Sequence, residues 1–233
     1  LRIKETLGGR ITVVSMGPPK AAEALKECLY MGADDAVLVS DKCFAASDTL
    51  ATSYILARTL ETVQDVQAVF CGKQAIDGDT AQVGPQLADK LGLNQITNVT
   101  GVLEADDRGI TVRRGIEGGE QKLRSRFPLL LTVSHEANET RPPSPQRVMA
   151  HKKRPTLTPR ESTTSNGGIP SVKLWNVGTI GADSAWCGMS GSATQVKQIR
   201  NVVLKAQGVK RVENTQEAVS ELMAELHREH IVA

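Results

Sequence analysis

Apolar runs without polar alternation, each followed by a helical pattern, constrain the fold of this chain most. The runs occupy 11–15, 36–40 and 66–71, and the helical patterns occupy 20–31, 48–60 and 80–91. Runs rich in β-branched residues and lacking alternation indicate strands that are buried on both faces. Helices between such strands indicate right-handed crossovers in a parallel sheet. The sequence therefore predicts an α/β fold with a mostly parallel sheet that helices cover on both faces.

A β-hairpin is predicted after the third helical pattern. Two polar strands, 110–115 and 121–126, flank the turn sequence Glu117-Gly118-Gly119. The apolar run at 129–133 then predicts one more buried strand.

The rest of the chain indicates a domain edge. From Arg141 the sequence is basic and proline-rich, and it becomes serine- and glycine-rich before one amphipathic helical pattern at 216–229. A single helix is too little to form a core of its own. We therefore expect an α/β domain at 1–160, with a recognition loop at about 135–160, and a C-terminal arm at 161–233 that packs elsewhere.

Composition narrows the function classes. The net charge is +2, and the four cysteines contain no C-x-x-C pair, which argues against an iron–sulfur cluster or a structural zinc site. Free thiols and the lack of a membrane-length apolar run predict a cytoplasmic protein without membrane insertion. His227 and His230 lack a third ligand, so no metal site is expected. The basic run 151–154 lacks interleaved aromatic residues, so no nucleic-acid binding is expected.

The sequence GKQAIDGDTAQV at 72–83 follows the third predicted strand. Loops at the carboxyl ends of parallel strands bind ligands in doubly wound folds. Gly72 and Gly78 let backbone amides approach an anion, and a helix beginning near Thr80 would direct its free N–H groups to the same place. These residue types are compatible with nucleotide phosphate binding and with a helix that is merely well capped.

The two aspartates of this loop need another role, because they would repel a phosphate. Asp79 and Gln82 have the spacing of a capping box. Asp77 either accepts hydrogen bonds from ribose hydroxyls or caps the turn, and the sequence does not choose between these roles.

A second strand-to-helix junction has similar chemistry. Ser47 or Asp48 can cap the second helix, and Thr49, Thr52 and Ser53 place hydroxyl groups on its first turn. Such hydroxyls either donate to a diphosphate or satisfy the backbone. Two such junctions suit an extended dinucleotide better than a mononucleotide.

Several segments, taken in chain order, carry a family resemblance. These are VVSMGPP, MGADDAVLVSD, SDTLATSY, GKQAIDGDTAQVGPQLADKLG, IEGGEQKLRSRFPLLLTVS and NETRPP. The sequence resembles the β subunit of electron transfer flavoproteins over nearly its whole length. The resemblance implies a three-layer α/β/α domain of the adenine-nucleotide hydrolase type and a larger α subunit that holds an electron-carrying FAD. It also implies that this chain binds AMP, or a second FAD if it belongs to the electron-bifurcating branch.

The resemblance also assigns nucleotide contacts. Both SDTLATS and CGMSGSATQVKQI resemble the FAD-binding branch, so FAD is the expected cofactor and AMP the alternative. The expected contacts are Met16, Asp48, Thr49, Thr52, Gly72, Lys73, Gln74, Ala75, Ile76, Asp77, Gly78, Asp79, Thr80, Ala81, Gln82 and Val83. No residue is expected to be catalytic, because the family carries electrons without making bonds of its own.

Partners follow from the same resemblance. It implies a heterodimer with the α subunit, on which the arm at 161–233 packs, and exchange of electrons with an acyl-CoA dehydrogenase or another flavoprotein. A bifurcating FAD would add NADH as donor and ferredoxin as acceptor. Family members begin with a strand before the helix that ends in LRIKE, so we expect that this first strand is missing here. A stand-alone adenine-nucleotide-sensing module of the same fold is the alternative from another class.

Overall fold

The computed structural model describes residues 1–76, 78–151, 157–159, 171–194 and 211–228, and only the backbone of 157–159. The chain forms two compact units, Leu1–Gln195 and Val196–Ala233. The described part of the second unit contains one amphipathic helix, and all other elements named below belong to the first unit.

The helices and strands follow one another in the order that the sequence patterns predict for the first half of the chain. The helices are α1 (Arg2–Leu7), α2 (Ala22–Met31), α3 (Thr49–Val63), α4 (Val83–Leu91), α5 (Pro145–His151), α6 (Gly188–Gly191) and α7 (Gln216–Arg228). The strands are β1 (Thr12–Met16), β2 (Asp35–Val39), β3 (Ala68–Gly72), β4 (Asn94–Ala105), β5 (Gly109–Ile116), β6 (Gly119–Arg126), β7 (Leu129–Val133), β8 (Leu157–Pro159) and β9 (Val172–Trp175).

The strands form two sheets where the sequence predicts one. The first sheet has the order β1-β2-β9-β8 and is parallel throughout. The second has the order β3-β7-β4-β5-β6, in which β3, β7 and β4 run parallel and the β5–β6 hairpin is antiparallel. Among the described residues β1 pairs only with β2 and β3 only with β7, so the first and third predicted strands lie in different sheets. The predicted hairpin is confirmed.

Strand β2 is covered by a helix on each face. Ala36 and Leu38 pack in an apolar cluster with Leu25 and Leu29 of α2. Val37 and Val39 point to the other face and share a cluster with Ile55 of α3. The alternation of side chains along a strand explains why a continuous apolar run is needed here.

Helix α3 packs on both sheets. Its Ile55 belongs to the cluster of the first sheet, whereas its Ala57 packs with Val69 of β3, Leu87 of α4 and Leu130 of β7. Because α3 and α4 are neighbours against the second sheet, the loops that precede these two helices meet.

Three strands, β4, β8 and β9, are not predicted by the sequence analysis. Strand β4 spans Asn94–Ala105 and lies between β7 and β5, although its run of β-branched residues is a strand signal. Strand β9 joins the first sheet beside β2. Because Trp175, Ile180 and Cys187 are buried with Val37 and Val39, the first part of the predicted arm is core, and the first unit extends past 160 to Gln195.

Helix α4 begins at Val83 and not at the predicted Thr80. Pro85 gives the reason, because a proline ring within a helix clashes with the carbonyl group four residues earlier, here that of Ala81. Proline is tolerated in the first helical turn, where Pro85 lies when the helix begins at Val83. Helix α4 therefore begins three residues later than predicted, and because β3 ends one residue later than predicted, the loop between them is two residues longer.

Candidate functional site

The loop between β3 and α4, residues 73–82, is called the signature loop here. It lies at the carboxyl ends of the parallel strands β3 and β7. Its first amide, that of Lys73, donates to Val133 O of β7 at 3.0 Å, which fixes the start of the loop beside that strand. Apart from half-buried Ala81, the described loop residues are exposed, and Ile76 is 99% exposed. The sequence prediction that this segment follows a parallel strand is confirmed.

The loop is folded on itself by two contacts. The Asp79 amide donates to Ala75 O at 3.0 Å, and the Gln74 amide group donates to the Asp79 carboxylate. Asp79 and Ala81 both have positive φ angles, 49° and 54°. Such backbone conformations are uncommon outside glycine and cluster where a binding site constrains the chain.

The predicted capping box of Asp79 and Gln82 is wrong. Gln82 is the N-cap residue of α4, and no side chain caps the helix. Asp79 instead accepts from Gln74, and the Gln82 side chain turns towards α3. Among the described residues, no carboxylate therefore caps the N–H groups of the first turn of α4.

Open space lies in front of the loop glycines. A Cβ atom added at Gly72 or Gly78 would have no atom within 4 Å beyond its chain neighbours. Packing among the described residues therefore does not require glycine at either position. Asp77, which the sequence analysis includes in the site, lies outside the described residues.

Asp48 caps helix α3, as the sequence analysis predicts for Ser47 or Asp48. Its Oδ1 accepts from Ala51 N at 3.0 Å, and its Oδ2 accepts from Thr194 N at 2.9 Å and Thr194 Oγ1 at 3.0 Å. Partial burial raises the pKa of this carboxyl, but the hydrogen bonds from Ala51, Thr194 and Leu50 outweigh burial and hold the pKa below its usual value.

The segment 187–194 is a part of the site that sequence reasoning does not assign. Ser192 Oγ accepts from Asp48 N at 2.8 Å, Thr194 binds the Asp48 carboxylate, and Gly188 N donates to Ser47 Oγ at 3.1 Å. Gly188 has φ 57°, and an added Cβ would lie 2.2 Å from Cys43 O, so only glycine fits there. The family resemblance of CGMSGSATQVKQI is the signal that points to this segment.

The two predicted junctions meet at the starts of α3 and α4. Thr49 Oγ1 donates to Gln82 Oε1 at 2.9 Å, and Ser53 Oγ donates to Gln86 Oε1 at 3.2 Å. Thr49 and Gln82, both predicted site residues, are therefore in direct contact although they are 33 residues apart.

Two other predicted contacts lie on the same side of the fold. Thr52 is on the first turn of α3, where its amide donates to Asp48 O at 2.9 Å. Met16 ends β1, is half-buried and packs against the cluster that contains Val39 and Phe44. The roles of both residues in nucleotide binding stay predictions.

The two helix starts differ in what they offer an anion. At α3 the Asp48 carboxylate already occupies the position of an anion, and it would repel a phosphate. At α4 the positive end of the helix is uncapped, and it faces the exposed loop. The arrangement therefore favours a phosphate at α4, with α3 supplying neutral hydroxyl groups beside it.

The part of the chain that the structure describes has no group of three or more His, Cys, Asp or Glu side chains that could hold a metal ion. Within these described residues, no helix combines the length and the apolar composition needed to cross a membrane.

Comparison with known proteins gives the family. Residues 1–158 match the model of the electron transfer flavoprotein domain. The electron transfer flavoprotein subunit beta of Clostridium acetobutylicum is 37% identical over 232 residues, which cover 100% of this chain and 83% of that protein. The chain belongs to the electron transfer flavoprotein domain family. The predicted resemblance is therefore confirmed at the level of the family.

Other relatives in this electron transfer flavoprotein family have two names. The electron transfer flavoprotein subunit beta of Megasphaera elsdenii is 38% identical over 232 residues, covering 96% of this chain and 80% of that protein. Protein FixA of Azorhizobium caulinodans is 39% identical over 236 residues, covering 98% of this chain and 78% of that protein. The similarity thus includes the segment 187–194 as well as the signature loop.

Proposed function

We propose that this chain is an electron-carrying β subunit that holds an adenine nucleotide at the carboxyl ends of its parallel strands. The observation that carries the proposal is the contact between the starts of α3 and α4, which joins Thr49 to Gln82 in front of the exposed signature loop. The names of the full-length relatives support the assignment to a β subunit.

The residues present fit a nucleotide phosphate at α4. The helix has nine residues, lacks a side-chain cap and follows a loop whose glycines face open space. Backbone N–H groups at such a helix start bind phosphates without further charge. When bound, a nucleotide that carries a flavin supplies the electron-carrying ring, and the contribution of this chain is to bind and orient it.

We propose FAD as the nucleotide, with AMP as the alternative. Two segments resemble the FAD-binding branch, and they touch each other through Asp48 with Ser192 and Asp48 with Thr194. This contact makes one wall of the site from parts of the chain that are 146 residues apart. Because the two segments form this wall together, we expect both of them to differ between family members that bind FAD and members that bind AMP.

The proposed partners follow from this assignment. The chain pairs with an α subunit that carries a further FAD, and the unit 196–233 docks on it together with the recognition loop at about 135–160. The dimer works in the cytoplasm and exchanges electrons with an acyl-CoA dehydrogenase or another flavoprotein. If the nucleotide in this chain is FAD, it would accept a hydride from NADH, and one electron would pass to ferredoxin while the other would pass to the flavin of the α subunit.

A cofactor count tests the proposal. The chain is coexpressed with the α subunit from the same genome, the complex is purified and denatured, and FAD and AMP are quantified per complex. We expect a 1:1 heterodimer with two FAD and no AMP. One FAD with one AMP would overturn the bifurcating form and leave a single-flavin carrier with a structural nucleotide. A chain that purifies alone with ATP or AMP and does not bind the α subunit would be a nucleotide-sensing module, contrary to the proposal.

A further inference from the structure

A cleft of about 380 Å³ lies beside the signature loop, at the carboxyl ends of β3 and β7 and next to the irregular part of β4 around Asn98. Its walls are the loop, the irregular part of β4 and the end of β5. The residues used below that line it are Lys73, Ala81, Asn98, Arg114, Glu117 and Thr132. The cleft shares Lys73 and Ala81 with the signature loop, whereas Asn98, Arg114, Glu117 and Thr132 are not among the expected nucleotide contacts, and none of these six residues takes part in the contacts that join α3 to α4.

Arg114 is the main reason to assign a ligand to this cleft. The residue is half-buried on β5, and its Nε is buried without a hydrogen-bond partner among the described residues. A buried donor without an acceptor is costly, and buried polar groups in folded proteins almost always have a partner. An acceptor supplied by a ligand would satisfy this group.

The backbone around the cleft is held in uncommon conformations. Asn98 has φ 56°, and it lies where the pairing of β4 with β7 breaks between Ile96 and Val99. Its amide donates to Thr132 Oγ1 at 3.0 Å, and its side chain donates to Gly115 O at 2.9 Å. Breaks of this kind near strand ends redirect the chain at functional sites.

The opposite wall of the cleft has the same kind of backbone. Ala81, in the signature loop, has φ 54°. Thus two non-glycine residues with positive φ face one cleft from different elements, and both are anchored by neighbouring strands or by α4. The shape of the cleft is therefore set by the fold and not by a single loose loop.

The charge of the cleft favours an anion. Lys73 and Arg114 contribute two positive charges, and Glu117 contributes one negative charge. None of the ion pairs within the described residues involves these three side chains. A guanidinium group binds two oxygens of a phosphate at once, and a lysine adds a point charge beside it.

We propose that this cleft binds a phosphoryl group through Arg114 and Lys73. Two kinds of ligand supply such a phosphoryl group. One is a second phosphate of the nucleotide that the signature loop holds, which would then extend across the loop. The other is a separate nucleotide that binds beside it. The assignment rests on the cleft itself and not on the electron-carrying function proposed above.

Titration with inorganic pyrophosphate tests the proposal. Isothermal titration calorimetry at constant ionic strength measures the affinity of the full chain for pyrophosphate. The chain is titrated once as purified and once after bound nucleotide has been removed. We expect Arg114→Gln to weaken pyrophosphate binding at least about tenfold, because a charge-assisted hydrogen bond is lost. Arg114→Lys keeps the positive charge but loses the planar guanidinium group. Its affinity for pyrophosphate should therefore lie between that of the wild type and that of Arg114→Gln.

Arg113→Gln is the matched control. Arg113 is the neighbouring residue on β5, is exposed and pairs with Glu120, and it does not line the cleft. Its substitution removes the same charge and should change the affinity less than about twofold, since exposed pairs contribute little. Thermal unfolding of each variant checks that the fold is intact. Equal binding by Arg114→Gln and Arg113→Gln, or no binding by the nucleotide-free wild type, would overturn the proposal.

The nucleotide that copurifies with Arg114→Gln distinguishes the two sources. If one nucleotide spans the loop, the variant retains less of it than the wild type does. If a separate ligand binds, nucleotide retention is unchanged while pyrophosphate binding is lost. A wild type that copurifies with no adenine nucleotide yet binds pyrophosphate through Arg114 would uphold this cleft and count against the proposed function.

Discussion

Asp48 shows how one side chain serves two parts of the fold. One carboxylate oxygen caps α3 through Ala51 N, and the other binds Thr194 from the distant segment 187–194. The sequence analysis predicts the cap, because Asp before a helical pattern is a strong signal. It does not predict the contact with Thr194, because no local pattern relates residues 146 positions apart.

Substitutions at Asp48 separate these two roles. Asp48→Ala removes both, and we expect it to lower the free energy of unfolding by more than the roughly 1 kcal/mol of a lost cap. In Asp48→Asn the side-chain amide oxygen still accepts from Ala51 N, so this variant should lose less unfolding free energy than Asp48→Ala does. Chemical denaturation of both variants measures the difference. Equal losses would contradict the assignment of two roles.

The pH dependence of stability provides a second test at this residue. The pKa of Asp48 is lowered in the folded protein, since hydrogen bonds to its charged form outweigh burial. Its contribution is therefore present above the pKa of the unfolded chain and is lost as the pH falls through the lower folded value. We expect the difference in unfolding free energy between wild type and Asp48→Asn to shrink between pH 7 and about pH 3. A difference that stays constant over this range would show that the carboxylate charge does not matter.

At the scale of elements, the start of α4 decides the shape of the signature loop. Pro85 excludes the earlier start that the helical pattern suggests, and Gly84 brings the first turn close to β7. An added Cβ at Gly84 would lie 2.5 Å from Thr132 Cγ2, closer than real contacts allow. The helix start is thus held against the strand that also forms the floor of the neighbouring cleft.

Gly84→Ala should therefore destabilise the protein, although alanine favours helix more than glycine does. We expect a loss of about 1–3 kcal/mol in unfolding free energy, the usual cost of overpacking. Thr132→Ser removes the clashing methyl group and keeps the hydroxyl that accepts from Asn98 N. The double variant Gly84→Ala with Thr132→Ser should recover most of the loss that Gly84→Ala causes relative to wild type, and Thr132→Ser alone is the control. No recovery would contradict the packing argument.

The elements found by sequence reasoning are those with strong local signals. The three strand-and-helix pairs and the glycine-turn hairpin were predicted at nearly their observed bounds. Strand β9 was missed because a four-residue strand has little signal of its own, and its place beside β2 depends on a distant pairing. The late start of α4 was predictable in principle from Pro85, since the steric rule is local.

At the scale of the whole molecule, α3 connects the two sheets. Its Ile55 packs on the first sheet and its Ala57 packs on the second sheet. The position of the start of α3 beside the start of α4 therefore depends on how this one helix packs on both sheets. The number of sheets was not predictable from strand patterns, because these fix which segments are strands but not which strands pair. The three-layer order of the complete domain and the docking of 196–233 on an α subunit stay predictions.

The central claim is that the loop after β3 and the start of α3 hold the nucleotide together. Hydrogen–deuterium exchange of the loaded and the nucleotide-free chain tests it most directly. We predict that bound nucleotide slows exchange in peptides covering 72–86 and 47–53 and leaves the β4–β5 turn around Asp106-Asp107-Arg108 unchanged. Unchanged exchange in both site peptides, with protection elsewhere in the chain, would contradict the account.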